Sequence, residues 1–186
     1  MKNNIVKGIG LAAMCVLTMM TTASAQSSFH QLTANDFWGT PRANAGGVVA
    51  YTNCTIDYRY QAQRERGGYR LNFTIRLILN NNKSWLDKSR VSTPQQMTEI
   101  LKHEQGHYTI AFLEQQELLR TVSRMRFSSN YNYEAMAVFN RIDAKYKQLN
   151  SDYDEDTAHM QDRVQQHSWD MYFQKKLKFL PEDTES

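Results

Sequence analysis

The chain has 186 residues, with 22 Lys and Arg against 19 Asp and Glu. Residues 1–25 hold two of the lysines and no acid, so the remainder is nearly balanced at 20 basic to 19 acidic, and the basic pI is no warrant for nucleic-acid binding. One of the two cysteines also lies in that leader, which leaves Cys54 without an intramolecular partner; stability must come from a packed core or a metal.

The leader reads as a signal peptide. Lys2 and Lys7 precede the apolar run Ile9 to Met20, and Ala23-Ser24-Ala25 supplies a small-x-small cleavage site before Gln26. The run is too short for a membrane span, and Met14 fits poorly before Cys15 as a lipid-attachment site. The expectation is an exported protein, periplasmic or secreted, with residues 26–186 as a single monomeric domain and no membrane span.

From Cys54, "CTIDYRY" alternates apolar and polar positions. After "RERGG", "YRLNFTIRLIL" alternates again, with Leu71, Phe73, Ile75, Leu77 and Leu79 on one face. A period of two predicts a pair of antiparallel strands around a glycine turn. The Arg/Lys-rich stretch 59–90 follows strand spacing and reads as a solvated strand face. At residue 92 the period becomes helical. Thr93, Pro94 and Gln96 form an N-terminal capping signature, followed by the stripe Met97, Leu101, Tyr108, Phe112, Leu119 and Val122. A second helix is expected from near Tyr133 to about Leu149, and a third from about His159 to Leu177. Strands first and helices afterwards predict an α+β domain with three main helices packed on one side of a sheet.

Within the first helix, "LKHEQGHYTI" (101–110) places two histidines four residues apart. Positions i and i+4 share a helix face, so His103 and His107 can direct ring nitrogens at one zinc ion. Glu104, about 100° further round the helix, stands beside the ion as a general base. Zinc lowers the pKa of its water toward about 7 and polarises a carbonyl; the carboxylate takes the proton and passes it to the leaving amine. Gly106 costs about 1 kcal/mol relative to alanine inside a helix, which suggests close approach of another backbone or of substrate. Glu99 and Glu114 flank the histidines as solvated carboxylates or as hydrogen-bond partners of the rings.

A catalytic zinc needs a third protein ligand and an open position. Downstream candidates are His159, His167, Glu134, Asp154, Glu155 and Asp156, whereas His30 lies in a polar segment far upstream. His159 would complete a three-histidine set. Glu134 is its rival, as a glutamate from a later helix.

Four segments, in order, resemble a bacterial family of predicted secreted zinc-dependent proteases, catalogued as domain of unknown function 922: "LTANDFWGTP", "NNNKSWLDKS", "LKHEQGHYTIA" and "YDEDTAHMQDRVQQHSW". The resemblance implies a zincin-like arrangement, with the active-site helix carrying His-Glu-Gln-Gly-His and one zinc per chain. It makes His103, His107 and His159 metal ligands, Glu104 the catalytic base and Tyr153 a candidate oxyanion donor. It also implies a peptide or protein substrate. Trp38, Trp85 and Trp169 match family positions and read as core. Where the family often has glycine after the last histidine, this chain has Met160. A reading from another class is a non-catalytic envelope module that binds metal structurally or presents a surface to a partner. Whether an inhibitor or regulator acts on the protein is left open.

Overall fold

The structure, a computed structural model, describes residues 29–43 and 45–180; the leader expected at residues 1–25 lies outside the described residues. The fold is α+β, with two small antiparallel sheets followed by three helices. A short strand β1 (Ala50–Tyr51) and a long hairpin of β2 (Cys54–Glu65) and β3 (Gly68–Leu79) come first, and β4 (Trp85–Leu86) returns to pair with β1. In the hairpin Cys54 lies opposite Leu79 and Glu65 opposite Gly68. The period-two reading therefore held, with Leu71 and Ile75 buried and Phe73, Leu77 and Leu79 packed against the cores. The turn needs its second glycine. A Cβ on Gly68 would stand under 3.0 Å from the Phe127 carbonyl oxygen, beside the backbone bridge between Tyr69 and Phe127.

Helix α1 (Pro94–Ser123) begins as expected, with the Thr93 hydroxyl accepting from the Gln96 N–H at 3.1 Å. The Gln96 side chain reaches one residue beyond the capping residue, accepting from the Ser92 N–H at 2.8 Å. The expected single sheet with helices on one side is replaced by a centre made of α1 itself. One face of α1 packs Ile100, Tyr108 and Phe112 against Leu32, Phe37, Ala50 and Leu86. The other packs Ile110, Leu113 and Leu118 against Ile75 of the hairpin and residues of the two later helices. A helix covered on both sides must be apolar well beyond one stripe. Ile110, Leu113 and Leu118 lie outside the predicted stripe and are buried for that reason.

Helix α2 (Tyr131–Asp156) runs well past the expected end near Leu149, and the acidic stretch between the second and third expected helices forms its last turns. Asn, Ser and Asp favour turns locally, but tertiary packing outweighs that preference here. Tyr153 is fully buried, and the buried Thr157 hydroxyl donates to the Tyr153 carbonyl at 2.6 Å. Helix α3 (Arg163–Lys178) starts later than expected, with the Asp162 carboxylate accepting from the Val164 and Gln165 N–H groups, both at 3.0 Å. His159 therefore lies in the link between α2 and α3, on neither helix. Ala158, His159 and Met160 there have φ of 44°, 49° and 73°, a left-handed run that costs non-glycine residues strain. Met160 thus occupies a position that favours glycine, and its side chain packs against the second core. Among the described residues no helix is long and apolar enough to cross a membrane.

Candidate metal centre

Helical spacing brings His103 and His107 together as the motif implies, with their Nε2 atoms 3.3 Å apart. The third group facing them is Asp154, on the last turn of α2. Its Oδ1 lies 3.3 Å from His103 Nε2 and 3.2 Å from His107 Nε2. Four ligands tetrahedrally disposed at about 2.0–2.1 Å from zinc are about 3.3 Å from one another, so the three donors are spaced as three corners of a zinc site. Among the described residues, the His, Cys, Asp and Glu donors that all lie within 4.8 Å of one another are those of His103, His107 and Asp154.

Hydrogen bonds orient both rings. His103 Nδ1 donates to the Gln166 Oε1 of α3 at 3.1 Å, and His107 Nδ1 donates to the Asn150 Oδ1 of α2 at 2.8 Å. With both Nδ1 atoms used as donors, both Nε2 atoms face Asp154; His107 Nε2 donates to its Oδ1, and a deprotonated Nε2 is a lone-pair donor for a cation. Burial alone would lower the His107 pKa. The Asp154 hydrogen bond and the charges of Glu104 and Asp154 instead raise it to about 9. Burial would likewise raise Asp154, but the two histidines hold it well below the usual carboxylate range. The cluster therefore attracts positive charge, of the kind that a proton or a divalent cation carries.

Glu104 is buried, and its Oε2 accepts from the Thr52 hydroxyl at 2.6 Å, which leaves Oε1 for other partners. Glu104, His103, His107, Asp154 and His159 line one cleft of about 610 Å³. His159, expected as the third ligand, falls outside the mutually close group. Its Nδ1 lies 3.3 Å from Asp154 Oδ1, and its side chain is 57% exposed.

Tyr153 stands behind the histidines. Its hydroxyl donates to the His103 carbonyl at 3.0 Å and accepts from Gln166 Nε2 at 2.9 Å, and its ring stacks on the His103 imidazole at 4.8 Å. It is fully buried and is absent from the cleft lining, so the hydroxyl expected as an oxyanion donor is turned to the protein interior. This contact also accounts for Gly106: a Cβ there would lie under 3.0 Å from the Tyr153 hydroxyl and ring carbons. The close approach is made by a side chain, where a backbone or substrate had been expected.

The other ligand candidates lie elsewhere. Glu134 accepts from the Ser128 hydroxyl and N–H at the start of α2, about 30 Å along that helix from Asp154. Asp156 accepts from the Trp169 indole at 3.0 Å, and His167 is exposed on α3. Trp85 is core and Trp169 half-buried against Tyr153, but Trp38 is 72% exposed. Thr52, Asn150 and Gln166 were not singled out by sequence reasoning. Only Gln166 had a signal, within the "VQQHSW" segment.

A family model described as a bacterial protein of unknown function (DUF922) matches residues 21–160. No curated protein and no solved structure matches the chain.

Proposed function

Because the chain belongs to the bacterial family of unknown function DUF922, with that family's match spanning the histidine pair and Asp154, we propose that it is an exported zinc-dependent peptidase with a zincin-like site. The observation that carries the reading is the spacing of His103, His107 and Asp154, at 3.2–3.3 Å, beside a buried glutamate in an open cleft. These three residues would hold the ion. When bound, zinc polarises a carbonyl as a Lewis acid and lowers the pKa of water at the site.

The chain's own groups do the rest. Glu104 accepts a proton at Oε1 while Thr52 holds Oε2, then delivers that proton to the leaving amine. His159, exposed in the cleft beside Asp154, is the group that hydrogen-bonds the carbonyl oxygen as charge develops there. Tyr153, Gln166 and Asn150 are positioning residues that set the two ring orientations.

The first test is zinc per chain in purified residues 26–186, with Asp154→Ala, His159→Gln and Glu104→Gln in parallel. About one zinc in the wild type, a large loss in Asp154→Ala, and retention in the other two variants support the ligand set. Peptide hydrolysis should then vanish in Glu104→Gln and fall in His159→Gln. Wild-type turnover in Glu104→Gln would remove Glu104 from the mechanism.

One observation favours a second reading. Nitrogens of all three histidines lie 3.2–3.3 Å from the same Asp154 oxygen, and a small shift of His159 would close a four-donor structural site without catalysis. Zinc lost in His159→Gln as fully as in Asp154→Ala, with no hydrolysis of any peptide, would favour it.

A further inference from the structure

The cleft does not stop at the histidines. It continues along the same face of α1 to Glu114, which is seven residues from His107 and so about 10 Å further along the helix at nearly the same angle. Asp143 of α2 lines this end too, and the charges of Glu114 and Asp143 act on each other. The cation nearby, Lys147, is bound to Asp143 Oδ2 at 2.8 Å. Glu114 makes no hydrogen bond or ion pair with the described residues. Burial, and then the Asp143 charge, push its carboxyl up to about 7, with Lys147 offsetting only part of this.

Apart from Asn140 and Lys147, the walls around these carboxylates are largely apolar. Leu118 lies one turn from Glu114 on α1, and Phe139 one turn from Asp143 on α2. Tyr58 of the hairpin stacks on Phe139 with ring centroids 3.6 Å apart, and Ile110 adds to the same lining. A channel with apolar walls that ends in two carboxylates served by one lysine matches a side chain with a methylene stem and a charged head. The spacing suits a peptide, since an extended chain advances about 3.3 Å per residue. Glu114 then faces a side chain about three residues from the bond at the histidine centre.

We propose that this end of the cleft binds a lysine or arginine side chain of the substrate, with its stem along Leu118 and Phe139 and its cationic head on Glu114. The assignment deepens the peptidase reading and rests on it for the word substrate; the cation pocket itself stands on the cleft.

Two measurements separate the two claims. The first is calorimetric or NMR titration of zinc-loaded residues 26–186 with n-butylguanidinium, and with N-butylurea as an uncharged analogue of similar shape. The guanidinium should bind at least about tenfold more tightly, the equivalent of about 1.4 kcal/mol, and Glu114→Gln should abolish the difference. Equal binding of the two probes, no binding of either, or a preference that survives in Glu114→Gln overturns the proposal. The second is cleavage of a randomised peptide library, in which Lys or Arg should be enriched at one position in wild type and not in Glu114→Gln. Glu114→Lys should shift that position toward Asp and Glu. A library cut without a basic preference overturns the pocket and leaves the peptidase standing. Guanidinium binding with no peptide cut by any variant retains the pocket and removes the peptidase.

Discussion

A methyl group at position 106 sets two effects of opposite sign against each other. Alanine improves helix propensity by about 1 kcal/mol over glycine. It also drives a Cβ into the Tyr153 hydroxyl and ring at under 3.0 Å, and such overpacking typically costs 1–3 kcal/mol. The ring is fully buried and fixed by hydrogen bonds to His103 and Gln166, so it cannot yield cheaply. Gly106→Ala is therefore expected to destabilise the fold, by up to about 2 kcal/mol in urea unfolding. In a Tyr153→Leu background, which removes the hydroxyl and ring edge, the same substitution should turn neutral or stabilising. An unchanged penalty there would mean that the clash lies with another group. Thr52 gives a prediction of a different kind, because its hydroxyl touches only Glu104, the base of the proposed reaction. Hydrogen bonds to charged groups contribute about 1.5–3 kcal/mol. Thr52→Val should thus slow peptide hydrolysis by roughly tenfold to a hundredfold, with zinc content unchanged by metal analysis.

Elements differ in how much of them was legible. The hairpin and the start of α1 were, because their signals are local: a period of two with a glycine turn, and a capping threonine followed by proline. The end of α2 was not. Asn150, Ser151 and Asp152 carry turn preferences, and the contact that overrides them lies some 50 residues away in sequence, between Tyr153 and the His103–Gly106 turn. Sequence reasoning ranked His159 above Asp154 because imidazole completes a three-histidine set, whereas the extended α2 brings Asp154 Oδ1 to within 3.2–3.3 Å of both ring nitrogens. The site divides along the same line. His103, Glu104 and His107 lie on one turn and are visible as a motif, whereas Thr52, Asn150 and Gln166 reach them across 52, 43 and 63 residues. Helix α3 has a supporting role that follows from this geometry, because it brings Gln166 to His103. Asp162→Ala removes its cap at a cost of about 1 kcal/mol. Thermal unfolding should show that loss, and the zinc affinity should weaken with it as Gln166 loosens.

At the scale of the whole molecule, the cluster of His103, His107 and Asp154 joins α1 to α2, so zinc bound there and pH would act on the same contacts. Folding raises the His107 pKa to about 9 from an ordinary value of 6.5 and that of Glu114 to about 7 from 4.5. A raised folded pKa contributes stability that is complete below the unfolded value and is lost as pH rises through the folded one. For the metal-free chain both groups therefore act in one direction: their contributions decline from about pH 4.5 to 7 for Glu114 and from about 6.5 to 9 for His107. Asp154, held low, contributes throughout this range and withdraws only in acid. Zinc requires His107 neutral, so binding displaces its proton and tightens as pH rises toward 9. Stabilisation by a ligand grows as RT ln(1 + [L]/Kd). The difference in melting temperature between zinc-loaded and chelator-treated protein should accordingly be small near pH 5 and widen steadily up to pH 9. Glu114 titrates in both forms, so it cancels in that difference, and Glu114→Gln should flatten the metal-free curve below pH 7 without changing the widening. Asp154→Ala should remove the widening altogether. A melting difference that is constant across pH would show that zinc binds without displacing a proton, and hence away from His107.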